Sequence, residues 1–281
     1  MRSIKLIVAT CLLLGSLSSF AMAKEKITIQ GSDTLLEMTT VLAAKYMKQS
    51  SGTIQVTGGG SGTGIAALIN GTIDIANASR AMKKKERRRI TKSGKELFEI
   101  AIALDGISIY LHKDNKVSNL TMEQLANIYL GKINNWSEVG GAKAPIIRYS
   151  RENNSGTYAF FKKVVLKKQN YAADTQNMPG TSSVVNAVSK DPNGIGYGGL
   201  SYSTGVKLAK INGVMPTAEN ISVGKYPISR RLFQYTIGKP KDLAKKFIMF
   251  ELSKKGQKIA VDSGYVSLPE KVRKEMLATL K

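Results

Sequence analysis

Apolar and polar positions alternate at the start of "KITIQG", where Ile27 and Ile29 stand either side of a polar residue and a glycine follows, the pattern of a short strand. In "SDTLLEMTTVLAAKYMKQ" the apolar residues Leu35, Met38, Leu42 and Met47 recur at roughly helical spacing, and Ser32 or Asp33 stands where an N-cap belongs. A β-branched run at 53–57 predicts a second strand, a glycine turn follows, and an apolar helix runs on to about Ile69. "GTIDIANAS" predicts a strand from Thr72 to Asn77, and the charged segment 83–97 a helix. "LFEIAIALDGISIYLHK" is long, apolar and rich in β-formers, which fits either a strand pair or one strand crossing between domains.

The same grammar returns further on. "TMEQLANIYLG" reads as a helix opened by the capping-box pair Thr121 and Gln124 and closed by Gly131. "APIIRYS" is a strand, "SGTYAFFKKVVLKK" and "TSSVVNAVSKD" are helices, and "GIGYGGLSY" is a glycine-rich strand and turn. "YPISRRLFQYTIG" reads as a strand that crosses back, and the chain from Pro240 on is helical. Strands alternating with helices predict an α/β fold with mostly parallel pairing. Two lobes joined by long β crossings fit better than two domains on a linker, and a ligand is expected where strand C-termini meet helix N-termini.

The first 23 residues stand outside that fold. Arg2 and Lys5 precede the apolar "LIVATCLLLGSL", and Ala21, Met22 and Ala23 form a small-residue cleavage site, so residues 1–23 read as a secretory signal peptide and the protein as exported to the periplasm. The single cysteine, Cys11, lies inside that signal; a lipid anchor follows only if Cys11 is processed. The 281-residue chain carries a formal charge of +22, and removing Arg2 and Lys5 leaves about +20. That surface attracts anions at long range. The densest run, "KKKERRR", has no interleaved aromatics and reads as a solvated helix face, so no specific nucleic-acid partner is expected.

Four strand-to-helix turns share one chemistry: "GSDTL" (31–35), "GGGSGTG" (58–64), "NASR" (77–80) and "RENNSGTY" (151–158). Each offers small hydroxyl or glycine residues beside a helix start, where unpaired N–H groups and a partial positive charge favour anions. Two of them add arginine, whose planar fork matches a tetrahedral oxyanion. The glycine turn is no nucleotide P-loop, because Ile65 stands where that motif needs lysine, and the acidic Asp74 comes too early for a dinucleotide fingerprint. His112 is the sole histidine and reads as a surface or hinge residue; no catalytic residues, metal site or cofactor are expected.

Taken as an ordered set, "GSDTLLEM", "GGGSGTGIAALINGTIDIANASR", "LTMEQLANIYLGKINNWSEVGG", "SRENNSGTYAFF", "NGIGYGGLSY" and "YPISRRLFQY" resemble the phosphate-binding protein of bacterial phosphate ABC transporters, the PstS-like group, over nearly the whole mature chain. The resemblance implies a type II periplasmic-binding-protein fold, with one phosphate in the cleft between two α/β lobes. It implies lobe one at 24–105 and 226–281 and lobe two at 106–225. It also implies a monomeric receptor, not an enzyme, that docks on membrane permease subunits. Carried over by position, the phosphate site comprises Ser32, Thr34, the backbone N–H of Leu35, Ser61, Arg80, Arg151, Ser155, Gly156 and Thr157. Arg80 stands where well-known members carry an aspartate that accepts the proton of hydrogen phosphate and repels sulfate. An arginine cannot accept that proton, so the acceptor must be another group, with Asp33 or a backbone carbonyl as candidates. The alternatives are a receptor for another tetrahedral oxyanion (sulfate or arsenate), or a basic exported adhesion or polyanion-binding protein on the same fold.

Overall fold

The computed structural model describes residues 25–281; the signal peptide and Cys11 lie outside the described residues. Three parallel strands begin the fold, β1 (Lys26–Gly31) between β2 (Thr53–Gly59) and β3 (Ile75–Ala78). Helix α1 (Asp33–Met47) joins β1 to β2, and α2 (Ser61–Asn70) joins β2 to β3. The predicted face of α1 is the buried one: Leu35, Met38 and Leu42 point into the core. The polar α3 (Lys84–Lys92) buries only Ile90, which makes "KKKERRR" a surface face. It ends at Lys92 rather than 97, with Gly94 in a left-handed turn just beyond.

The apolar run that allowed two readings is one strand, β4 (Leu97–Leu111). From Leu97 to Gly106 it pairs with β10 (Ser229–Ile237), and from Ile107 to Leu111 with β8 (Gly194–Gly199). Strand β6 (Ile147–Arg151) lies parallel to β8 and to β7 (Gln176–Met178), and β9 (Lys207–Ile211) pairs with both β4 and β5 (Asn119–Leu120). The order is β2-β1-β3-β10-β4-β8-β6-β7. Pairing is therefore parallel within each half and antiparallel at the crossings, β10 with β3 and β4, and β4 with β8 and β9. The expectation of mostly parallel pairing misses this, because a strand that returns the chain across the waist must oppose its partner.

Helices α4 (Met122–Tyr129), α5 (Gly156–Val164), α6 (Gly180–Lys190) and α7 (Ala218–Ser222) belong to the second half. The Thr121–Gln124 capping box forms as predicted, with reciprocal bonds of 3.0 and 2.8 Å. Helices α8 (Asp242–Glu251), α9 (Lys254–Asp262) and α10 (Glu270–Leu280) return to the first half. Each half has its own core. One gathers Ile29, Leu35, Ile75, Ile102 and Phe247; the other gathers Ile109, Trp136, Phe161, Ile195 and Tyr197. Burying each such side chain stabilises the fold by roughly 1.5–3 kcal/mol. Among the described residues no helix is long and apolar enough to cross a membrane.

Candidate functional site

Strands β1, β2, β3 and β6 all end at the waist between the halves, and α1, α2 and α5 start there. Four buried hydroxyls meet at this place, one from each predicted turn. Thr34 Oγ1 lies 2.9 Å from Thr157 Oγ1, which is 3.4 Å from Ser79 Oγ, itself 3.3 Å from Ser61 Oγ. Ser61 Oγ also accepts the Ser79 backbone N–H at 3.1 Å. None of the four is more than 1% exposed. A hydroxyl can rotate to donate, so four of them beside three helix N-termini form a donor-rich, electropositive cluster.

Two glycines permit this approach. Gly60 caps α2 at φ 88°, a conformation that favours glycine. Gly156 opens α5 so close to the serines that a Cβ there would lie 2.2 Å from Ser61 Oγ and 2.6 Å from Ser79 Oγ. The halves also bond through their backbones, Gly62 N–H donating to Asn154 O at 2.8 Å.

Two arginines flank the cluster, and each holds an aspartate. Arg151, 2% exposed, reaches from β6 to Asp33 at 2.5 Å and donates to Thr181 Oγ1 at 2.8 Å. Its Nε is buried without a partner among the described residues. Arg230, on β10, pairs with Asp105 of β4 at 2.7 and 3.0 Å. It also donates to Ser79 O at 2.9 Å and sits 3.4 Å from Thr34 Oγ1. The second oxygen of Asp105 accepts the Leu200 N–H at 3.2 Å. Among the described residues no group of three His, Cys, Asp or Glu gathers as a metal site.

The structure thus brings Thr34, Ser61, Gly156 and Thr157 together, with Arg151 adjoining through Asp33. Other predicted positions do different work. Ser32 N–H donates to Asn77 O, and the Leu35 N–H, expected to face the ligand, donates to Ser32 O at 3.0 Å. Ser155 Oγ caps α5 by accepting the Tyr158 N–H at 3.3 Å. Arg80 turns away: both its terminal nitrogens are 2.8 Å from the Glu86 carboxylate, a fork held outside the hydroxyl cluster. Burial alone would raise the Glu86 pKa, but Arg80 and the Lys83 N–H pull it below the ordinary carboxylate value. His112 also stands apart, its Nδ1 accepting the Asp114 N–H.

Ser79, Thr181, Asp105 and Arg230 were not singled out from sequence. A signal existed for the last two. Arg230 shares its strand parity with the buried Ile228, Leu232 and Gln234, and Asp105 interrupts an otherwise apolar buried run. A charge on the inward side of a strand needs a partner, and each of these two is the other's.

The match to known proteins covers the same elements. Residues 18–255 fit the model of the PBP superfamily domain. A relative from Pseudomonas aeruginosa, the phosphate-binding protein PstS, is 35% identical over 89% of this chain and 85% of its own. The chain belongs to the PstS family of the PBP superfamily. The PstS of Bacillus subtilis is 32% identical over 88% of this chain and 82% of its own length. A substrate-binding protein of Clostridium perfringens, solved with phosphate bound, superposes with a TM-score of 0.83 at 32% identity, covering 87% of this chain and all of that one. An ABC-type phosphate transport receptor from Vibrio cholerae gives 0.72 at 31% identity, covering 86% of this chain and all of its own. The family's fold is the two-lobed α/β architecture described above.

Proposed function

We propose that the protein captures inorganic phosphate outside the cytoplasm and delivers it to an ABC importer, without transforming it. The observation that carries this reading is the buried hydroxyl cluster of Thr34, Thr157, Ser79 and Ser61, with a buried Arg151 whose Nε–H lacks a partner among the described residues. These hydroxyls bond mainly to one another and can rotate to donate to an anion, which the unpartnered Arg151 Nε–H also suits. The phosphate in the relatives' names, and bound in the Clostridium perfringens structure, supports phosphate as that anion.

In this reading Thr34, Ser61, Ser79 and Thr157 donate O–H bonds, and Arg151 and Arg230 supply charge. Gly156 keeps the space open. Ser32, Leu35 and Ser155 act through the backbone turns they hold. The lobes are 24–105 with 226–281, and 106–225. Two observations favour the boundary: β4 changes partners between Gly106 and Ile107, and Ile107 N–H bonds Ile228 O at 2.9 Å. Hinge closure there would bury the ion.

Asp33 and Asp105 supply the carboxylate that Arg80 cannot. Each is held by a flanking arginine, so the proton of a bound hydrogen phosphate meets an acceptor, whereas sulfate has no proton to offer it. The reading as a general tetrahedral-oxyanion receptor rests on Arg80, which is committed to Glu86. The protein acts as a monomer in the periplasm, with permease subunits as its partners, and is lipid-anchored only if Cys11 is processed.

The test is calorimetric titration of residues 24–281, stripped of bound anion, with phosphate and with sulfate at physiological salt. Tight one-to-one phosphate binding with little sulfate binding is the expected result. Equal binding of both would make it a general oxyanion receptor, and binding of neither would overturn the assignment.

A further inference from the structure

Between the two halves lies a cavity of about 550 Å³ that the phosphate reading does not use. Its size falls within the roughly 300–1,000 Å³ of small-ligand sites. One wall, Arg80 to Lys84, follows β3 in the first half of the sheet; the other is α5 and the turn after it, in the second half. Lys83 and Lys84 face it from one side, and Lys162, Lys163 and Lys168 from the other. Among the described residues lining it there is no carboxylate. The nearby Glu86 is consumed by the two-pronged bond from Arg80.

The backbone brings the cations together, although the lysines stay mostly exposed. Lys167 and Lys168 adopt φ of 51° and 71°, unusual for non-glycine residues. The Lys168 N–H is tied to Lys162 O at 2.8 Å, which ends α5 early and turns Lys168 toward the cavity. Lys162 is steadied by Asn170 at 2.7 Å. Burial, with the neighbouring Arg80, pulls the Lys83 amine below the ordinary lysine value, and Glu86 offsets only part of this. The floor is formed by Tyr158 and Phe160. Tyr158 is fixed by stacking on Tyr171 at 4.6 Å.

We propose that this inter-lobe cavity binds a phosphoanhydride chain, its successive phosphoryl groups spanning the lysines of both walls. Lysines act as mobile point charges and suit a string of phosphates better than one fixed oxyanion. Five cations without a carboxylate exceed what a single phosphate can neutralise. None of the four hydroxyl residues lines it, so both ligands can bind together.

The chain could be inorganic or belong to a nucleotide, and the experiment distinguishes these. The exported protein, saturated with orthophosphate, is titrated with tripolyphosphate, ATP and adenosine. The expected result is one-to-one tripolyphosphate binding that leaves orthophosphate in place and weakens by at least about tenfold in the K84Q/K163Q/K168Q variant. A control variant of equal charge, K45Q/K225Q/K271Q, alters exposed lysines elsewhere and should bind as the parent does. ATP binding equal to tripolyphosphate supports recognition of the chain alone; tighter ATP binding supports the aromatic floor as a base platform. Equal losses in the two variants would mean diffuse surface charge and overturn the site. So would displacement of orthophosphate, binding of adenosine alone, or no tripolyphosphate binding. Orthophosphate affinity is read separately, so failure of this site and failure of the phosphate reading are distinguishable.

Discussion

Replacing Gly156 with alanine is the sharpest probe of the cleft. A Cβ at this position would stand 2.2 Å from Ser61 Oγ, 2.6 Å from Ser79 Oγ and 2.9 Å from Ser61 Cβ, where ordinary contact begins near 3.4 Å. Roughly 1 Å of movement is needed, and the chain around it is close-packed. Either Ser61 swings away, losing its bonds to Ser79 N and Oγ, or the two halves part and Thr157 leaves both Thr34 and Ser79. Each route removes about two neutral hydrogen bonds from the donor set, about 2 kcal/mol in all. That corresponds to about a thirtyfold rise in Kd for phosphate. The backbone should tolerate the change, since Gly156 opens a helix and is not in the left-handed conformation that favours glycine. Calorimetric titration reads the affinity and thermal unfolding reads the fold. A Kd within about twofold of the parent would refute the reasoning, because it would mean that Ser61 and Ser79 can give way at no cost to binding.

Other perturbations separate the roles of the remaining groups. Arg151→Ala should weaken phosphate binding by at least about tenfold, whereas Ser61→Ala, removing one neutral bond, should cost ~1 kcal/mol; titration with the order reversed would displace Arg151 from the site. Arg80→Ala should change phosphate affinity by less than about threefold, since that guanidinium is already spent on Glu86, and a loss like that of Arg151→Ala would return it to the cleft. Asp105→Asn should cost about 3 kcal/mol in denaturant unfolding, because it uncouples a buried pair. It should also narrow the preference for phosphate over sulfate by about tenfold; an unchanged preference would remove Asp105 from selectivity. Burial pushes the Glu251 carboxyl well above its ordinary range, with Gln234 offsetting only part of this. The neutral acid is therefore the folded form. Its contribution is fully present below the unfolded pKa, about 4, and is lost as pH rises toward the folded value. Glu251→Gln should hold its unfolding temperature better than the parent as pH rises above about 4, and parallel curves would discount the effect.

Much of this was legible in the chain. Helix α1, the Thr121 capping box and the four turns follow from spacing and cap residues, which are local causes. What stayed hidden depends on partners far away in sequence. The role of Arg80 could not be read from its place after Ser79, because Glu86, six residues on, captures it only once α3 forms. Arg230 and Asp105 lie 125 residues apart, and only the pairing of β10 with β4 joins them. Strand β7, Gln176–Met178, is short and lacks an apolar pattern, so its pairing with β6 alone defines it. The early end of α5 is set by the left-handed Lys167 and Lys168, residues with good helical propensity overruled by the turn they must make.

The uninterrupted β4 has a consequence for how the molecule comes apart. Its Leu97–Gly106 stretch completes one half-sheet and its Ile107–Leu111 stretch completes the other, while Leu104 packs against both cores. Melting either half frays a strand on which the other half depends. The two halves should therefore lose structure in one cooperative event, with a single calorimetric peak, even though they look like separate bodies. For an engineer this means that neither half is a transplantable module: a sensor built on this scaffold must keep both, and reporter insertions belong in the surface turns rather than on either side of a cut through the waist.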